Sequence, residues 1–374
     1  MRVLYFINAG IMGGRERHVY TLVKSLPKDI EYLICAVSSG ESTKEMQVKG
    51  CNVRVLGCRN GHDVRLLWRF YKVIKGFKPD LIHAHSEAII PFWVLRFFKS
   101  IPIVYSIHGP STDAAECGVR GRPFWGCLKS KIEKLLKRKP DYFLPVSKAT
   151  WEEFLTLTPK VKGEVFFNAL DFSILPNSEK KVNVAPVVGM VARLADQKGW
   201  SSFLEIAAEL VKRIPNVKIW AIGDGPLKAN LQEYWRRLSI EEKIPVASLI
   251  WFGSRQDARE LISKMDVFLF TSKREQLPTT LLEAFALGTP VVGFLPIGGT
   301  KEILGLSSKK IALLNESRNV GQAVRDVLLV LEDKILRQEL VDEGQRIVRN
   351  YFDMRTLCST QLRSVYKRLI KGDY

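Results

Sequence analysis

The chain carries no C-x-x-C pair, no apolar run near the length of a membrane span, and no G-x-G-x-x-G after its first strand-like run. Each absence removes a class. The six cysteines (Cys35, Cys51, Cys58, Cys117, Cys127, Cys358) lack the spacing of a disulfide framework or a zinc ribbon. A reduced, intracellular protein is therefore expected. Without ~20 consecutive apolar residues, membrane contact is expected to be peripheral. The opening residues, a short apolar run followed by glycine and charge, lack a signal-peptide pattern, so the expected location is cytoplasmic. Acidic residues are also scarce, 39 against 57 basic, a net charge of +18. That balance points to an anionic partner: nucleic acid, an anionic membrane face or a phosphorylated small molecule. The excess is uneven, +11 over residues 1–172 and +7 over 173–374.

What is present is enough for two cores. A length of 374 residues with 46% hydrophobic content suits two domains of ~150–200 residues and excludes wholesale disorder. Short apolar runs alternate with segments of helical spacing. Examples are VLYFIN (3–8), DLIHAH (80–85) and YFLPVS (142–147) in the first half, and PVVGMVA (186–192), DVFLFTS (266–272) and TPVVGF (289–294) in the second. EVFFN (164–168) is a further strand expectation. Apolar strands alternating with helices predict parallel sheets covered on both faces. The alternation pauses once, over the polar, proline-containing residues 171–185, which are the expected linker. Residues 356–370 have amphipathic helical spacing with no strand after them. The expected fold is α/β, two doubly wound Rossmann-like domains in tandem.

The most informative segment runs from Thr271 to Glu302. Glu275 stands in a loop, Glu283 follows after seven intervening residues, and a proline-containing turn leads into an apolar helix. A helix amino end attracts anions through its unpaired N–H groups and dipole. Two carboxylates beside it suit a ligand combining hydroxyls with a diphosphate, as nucleotide-sugars do. Gln276, Leu277, Thr279 and Thr280 fill the turn between the two acids. Thr280 to Glu283 is also a capping-box spacing, which would turn Glu283 back onto the Thr280 amide.

Arg193 and Lys198 flank a short turn ending in Gly199, at the carboxyl end of the expected first strand of domain two, where open α/β sheets bind ligands. A guanidinium grips phosphate oxygens bidentately and an ammonium acts as a point charge. Solvated surface cations are the plainer alternative. Gly223 belongs to a Gly-Asp-Gly-Pro turn on the same expected edge. Residues 10–14 form a glycine-rich turn before the first helix, in which Gly13 and Gly14 would allow close backbone approach. His83 and His85 alternate along a strand, a possible metal pair, but no cysteine or carboxylate stands at ligand spacing and no metal is expected. His108 ends a strand where the chain enters a long loop. Segments 64–78, 92–99 and 123–139 mix aromatics with Lys and Arg, either as anionic-membrane contacts or as helices with solvated outer faces.

Taken together, these elements resemble the retaining GT-B glycosyltransferases of glycosyltransferase family 4, over nearly the whole length. The likeness rests on Glu275 to Glu283 with the following L-E-A-x-A-x-G-x-P-V-V (282–292), on Arg193-Leu194 to Lys198-Gly199, and on Gly13 to Val19. The resemblance implies two Rossmann-like domains facing across a cleft, residues 1–172 and 173–352, with 353–374 returning to the first. It implies that Glu283 holds ribose hydroxyls, Arg193 and Lys198 the diphosphate, and Glu275 the donor sugar. The 276–280 loop, Gly14 and His108 would contact donor or sugar. It further implies retention by front-face attack with no protein nucleophile. Gln276 and Ala169 stand where the family usually has glycine, and the loop before Gly298 is one residue longer. The chain has no Asp-x-Asp triplet, the device by which another transferase class holds a metal, so no metal or other cofactor is expected. The expected partners are a nucleotide-sugar, a saccharide or lipid-linked acceptor and an anionic membrane surface, with no nucleic acid. The alternatives are a nucleotide-sugar epimerase of the same fold and a non-catalytic nucleic-acid-binding protein.

Overall fold

The computed structural model describes residues 1–8, 13–60, 63–86, 94–98, 100–109, 140–176 and 184–373. They divide into two compact units, Met1–Ala169 with Met354–Tyr374, and Leu170–Asp353. Residues 10–12 of the glycine-rich turn, Cys117, Cys127, part of segment 92–99 and all of segment 123–139 lie outside the described residues.

In the first unit β1 (Arg2–Ile7), β2 (Glu31–Ala36), β3 (Val53–Val55), β4 (Leu81–Ala84), β5 (Ile103–Ile107) and β6 (Tyr142–Pro145) form one sheet. Its order is β3-β2-β1-β4-β5-β6. All pairings are parallel. Parallel neighbours need a crossover, and helices such as Gly14–Lys24 and Arg65–Phe77 supply it. Leu66, Phe70, Val73 and Ile74 recur at helical spacing and enter the core with Leu4, Phe6 and Ile82. Each such side chain contributes ~1.5–3 kcal/mol when fully buried. The helix Arg363–Lys371 buries Val365, Tyr366 and Leu369 in this unit. The Tyr366 hydroxyl sits 2.9 Å from the Tyr5 hydroxyl and 2.6 Å from His83 Nδ1.

Residues 164–168, expected as a strand, run beside β6 without becoming one. Glu164 N–H donates to the Phe143 carbonyl and Phe166 N–H to the Pro145 carbonyl, at 3.1 and 2.9 Å. Pro145 has no N–H to return, so the ladder stops there.

The second unit contains β7 (Val187–Val191), β8 (Lys218–Ile222), β9 (Leu249–Gly253), β10 (Val267–Phe270), β11 (Arg274–Glu275), β12 (Val291–Phe294), β13 (Ile297–Gly298) and β14 (Leu313–Asn315). Six of them make a parallel sheet, β14-β12-β10-β7-β8-β9, and β11 pairs with β13 apart from it. Read from β9 and renumbered by appearance, this order is 3-2-1-4-5-6, the same as in the first unit. Each sheet therefore has one switch point, between β1 and β4 and between β7 and β10. Crossovers leave there in opposite directions, and ligands enter at the carboxyl ends of those strands.

Candidate active site

At the switch point of the second unit, β7 runs into Ala192, Arg193 and Leu194, and β10 into Thr271, Ser272 and Lys273. The two exits are tied together. Lys273 N–H donates to Gln197 O at 2.8 Å and Thr271 Oγ1 to Lys198 O at 3.2 Å. Lys198 Nζ then lies 2.6 Å from Glu275 Oε1, an oxygen that also accepts from Ser272 Oγ at 2.7 Å. Glu275 is buried and Lys198 partly so. The cation and the hydroxyl take the place of the water this buried carboxylate has lost.

Glu275 occupies β11 rather than a free loop. Its carbonyl accepts from Gly299 N–H at 3.0 Å, and its register partner is Gly298. Gly298 has φ +118°, and a Cβ there would collide with the Glu275 carbonyl oxygen. Gly223 solves the same problem in a neighbouring loop: with φ +141° its missing Cβ leaves room for the Ala192 carbonyl. Gly223 is thus explained by loop packing within the unit.

The helix Thr279–Ala286 begins four residues after Glu275, with Pro278 at its cap position and no side-chain cap. Thr279 and Thr280 form its first turn, where N–H groups have no intrahelical acceptor. Leu277 is buried, while Gln276, Thr279 and Thr280 are half-buried. Glu283 is not the return arm of a capping box. Its buried Oε1 accepts from Arg259 Nε at 2.8 Å, a charge-assisted bond stronger than one to an amide. Arg193 is exposed, its carbonyl fixed by Trp200 Nε1 at 2.9 Å. The geometry thus joins Lys198 to Glu275 directly and sets Arg193 and Gly223 on adjoining loops, with Glu283 in a second ion pair.

Two arginines of this site escaped sequence reasoning. Arg259 sits in an ordinary amphipathic helix, Ala258–Ser263, and its partner is 24 residues away. Arg318 follows β14 with φ +54°, uncommon for a residue with a side chain. Its Nη1 donates to Ser272 O at 3.0 Å and its Nη2 to Thr271 O at 2.7 Å, above the Phe294 ring at 4.7 Å. Burial lowers the pKa of this guanidinium. It clamps the backbone from which Ser272 and Glu275 reach inward. The only sequence signal was an arginine between serine and asparagine in a turn.

In the first unit, Gly13 caps the helix Gly14–Lys24 and donates to Glu16 Oε2 at 3.2 Å. A Cβ on Gly14 would meet nothing within 4 Å. At the β1/β4 switch point His85 N–H donates to Phe6 O and His85 Nδ1 lies 3.0 Å from His108 Nε2. His18 joins them, its ring centroid 4.9 Å from that of His108. The pairing of His83 with His85 as ligands does not form: His83 is engaged by Tyr366 and, at 2.8 Å, by Ser106 Oγ. Burial pulls His18 down to about 4 against an opposing contribution from Asn168, and pushes His83, His85 and His108 well below the usual imidazole range. These rings are neutral at neutral pH.

A family described as "Glycosyl transferases group 1" matches residues 171–347, and one described as "Glycosyltransferase Family 4" matches residues 12–173. The chain belongs to the group 1 glycosyltransferases. Its fold is GT-B. A lipopolysaccharide core biosynthesis glycosyltransferase of Rhizobium meliloti, LpsD, is 22% identical over 98% of this glycosyltransferase and 100% of itself. A second from that organism, LpsE, is 26% identical over 48% of this chain and 49% of its own length. Among solved structures, Anabaena Alr3699/HepE in complex with UDP and glucose superposes with a TM-score of 0.78 at 19% identity, covering 98% and 100% of the two chains.

The aromatic, basic segments of this glycosyltransferase are only partly described. The helix Arg65–Phe77 buries one face, leaves Trp68 largely exposed, and holds Lys72 4.9 Å over the Trp68 ring. Phe97 is also exposed. No described helix is long and apolar enough to cross a membrane.

Proposed function

We propose that this glycosyltransferase moves a hexose, with retained anomeric configuration, from a nucleoside-diphosphate sugar to a saccharide or lipid-linked acceptor held by the first unit. The setting is the cytoplasm, peripheral to the inner face of an anionic membrane. The observation that carries the donor half is the Lys198–Glu275 pair, 2.6 Å apart beside the amino end of Thr279–Ala286. Relatives named for lipopolysaccharide core biosynthesis and a structural neighbour crystallised with UDP and glucose support the same reading.

In this reading Arg193 and Lys198 neutralise the diphosphate, and the N–H groups of Thr279 and Thr280 add to that field. Glu283, paired with Arg259, accepts from ribose hydroxyls. Glu275 accepts from the donor sugar, with Gln276 and Leu277 lining it. Gly13 and Gly14 leave room for backbone approach. His108, neutral, offers a hydrogen bond near the reacting carbon. As the bond from sugar to phosphate breaks, negative charge grows on the leaving diphosphate. Fixed cations bind that charge more tightly than they bind the ground state, which is what speeds the step. Front-face attack by the acceptor hydroxyl needs no protein nucleophile, and two cations at the diphosphate replace a metal there. The exposed Trp68 and Lys72 support the membrane-facing acceptor.

A thermal-shift and calorimetric screen of UDP-, GDP-, ADP- and CMP-sugars tests the donor half. One base class should stabilise the wild type and lose that effect in Lys198→Ala; stabilisation by none of them sinks the reading. Indifference to anionic vesicles at low salt, with transfer only to soluble acceptors, removes the membrane half.

A further inference from the structure

The helix Gly14–Lys24 runs back from the switch-point edge, so its last residues lie at the opposite, amino edge of the first sheet, where Glu31 N–H donates to Met1 O at 2.9 Å. There it packs against the closing stretch of the chain, helical from Met354 to Lys371. Cys358 Sγ donates to Leu22 O at 3.8 Å, and Arg363 clasps Asp29 with two nitrogens at 3.1 and 2.7 Å. Between these tied walls lies a cavity of about 410 Å³, lined by Lys24, Ser25, Arg355, Thr356 and Ser359, with no carboxylate among the described residues. A second cavity of about 320 Å³ shares Ser359 and continues past Lys367 and Lys371, both exposed, to Asp373. Arg363 and Arg368 line it too, each already paired, with Asp29 and Glu164. Ser25 is the group the fold leaves unexplained. It is 7% exposed, its N–H is taken by Thr21 O and Leu22 O, and its hydroxyl has no hydrogen-bond partner. Native chains keep few buried hydroxyls in that state. Lys24 alone could be ascribed to the negative end of the helix that carries it; the Ser25 hydroxyl could not.

We propose that this cavity binds a phosphate group, with Ser25 Oγ–H donating to it and Lys24 and Arg355 neutralising it. A guanidinium takes phosphate oxygens in pairs and an ammonium supplies a point charge. A carboxylate ligand would bring one charge and two oxygens. A phosphate ester brings about −1.5 to −2 and three strong acceptor oxygens, which matches three donors and two cations. Lys367 and Lys371, along the adjoining cavity, receive further negative charge on the same molecule or its surroundings. A soluble phosphorylated compound and the headgroup of an anionic phospholipid offer this same chemistry. The site lies across the sheet from the switch point, shares no residue with the donor site and does not depend on the donor reading.

The test uses the full chain carrying Lys198→Ala, which silences the proposed donor site, at low salt. Inorganic pyrophosphate is titrated by calorimetry in one arm, and vesicles of phosphatidylglycerol are sedimented with the protein in the other. Saturable pyrophosphate binding with a rise in Tm indicates a soluble ligand; vesicle binding without it indicates the headgroup. In whichever arm binds, Lys24→Gln, Arg355→Gln and Ser25→Ala should each weaken binding about tenfold, the worth of one hydrogen bond to a charged group. Lys301→Gln removes the same charge from a surface ion pair in the second unit and should change nothing. Ser25→Ala should leave the Tm of the ligand-free protein unchanged or higher, since it deletes an unpaired hydroxyl. Binding in neither arm overturns the proposal, as does an equal loss in Lys301→Gln or undiminished binding in Lys24→Gln and Ser25→Ala. If Arg355→Gln fails to fold, those two variants decide.

Discussion

At the carboxyl edge of β7 and β10 the second unit sets Lys198 against Glu275 and Arg259 against Glu283. At the same edge of β1 and β4 the first unit sets His18, His83, His85 and His108 among Tyr5, Ser106 and Tyr366, with no carboxylate bonded to any of these rings among the described residues. Strand order is identical in the two sheets, so topology places the groups and does not choose their charge. Partners choose it. Each carboxylate has a cation beside it, while burial without a counter-charge pulls each imidazole pKa down. One fold presents two electrostatic surfaces: one suited to gripping charge, the other to hydrogen bonding.

Neutralising a partner in the second unit should do the greatest damage. Glu275→Gln and Lys198→Ala are each expected to lower turnover by about 10²–10³-fold, the cost of one preorganised charge, with a smaller change in unfolding midpoint. If activity and folding fall in proportion in both variants, the contrast between the units loses its functional half. In the first unit, Tyr366→Phe strands the Tyr5 hydroxyl and His83 Nδ1 and should cost about 1–3 kcal/mol in denaturant unfolding. Loss of activity without loss of stability would place those hydroxyls in the chemistry instead.

Arg318→Gly sharpens the comparison further. It removes the clamp on Thr271 and Ser272 while relieving a left-handed backbone, so stability should hardly move. Turnover should fall roughly tenfold with the donor KM little changed, the mark of misplacement rather than lost binding. Arg318→Lys should recover some of it, and a rise in KM alone would argue against positioning. The smallest effect concerns an acid outside either edge. Glu343 is held at about 2 by Arg346 and Ser307, below its usual 4.5. A depressed carboxylate stabilises above its unfolded pKa, and that contribution fades as pH falls from about 4.5 toward 2. Glu343→Gln should therefore lower stability by about 1 kcal/mol at pH 7, a modest figure because Arg346 is half exposed. The deficit should vanish near pH 2; a pH-independent deficit would point to packing.

Much of the architecture was legible because strands and helices write their periods into the chain, and the turn from Thr271 to Glu283 declares its chemistry through two acids, a proline and an apolar helix. Partnerships across long separations were not. Arg259 and Arg318 carry no local pattern, since their acceptors lie 24, 46 and 47 residues away and are chosen by packing. The capping-box spacing at Glu283 misdirects for the same reason, because a nearby guanidinium outcompetes a backbone amide. His18 joins His85 and His108 only through the register of a helix against two strand ends. Residues 164–168 have a strand's composition, but a single proline in β6 denies them a ladder.

Glu275 has its rotamer and its backbone settled before any ligand arrives, by Lys198, Ser272, Gly298 and Gly299. A rigid acceptor cannot follow a hydroxyl that points the wrong way. If Glu275 receives the donor sugar as proposed, sugars differing only in the configuration of one carbon should be told apart steeply, and an altered preference should require shifting the rung that carries the acid rather than the acid itself.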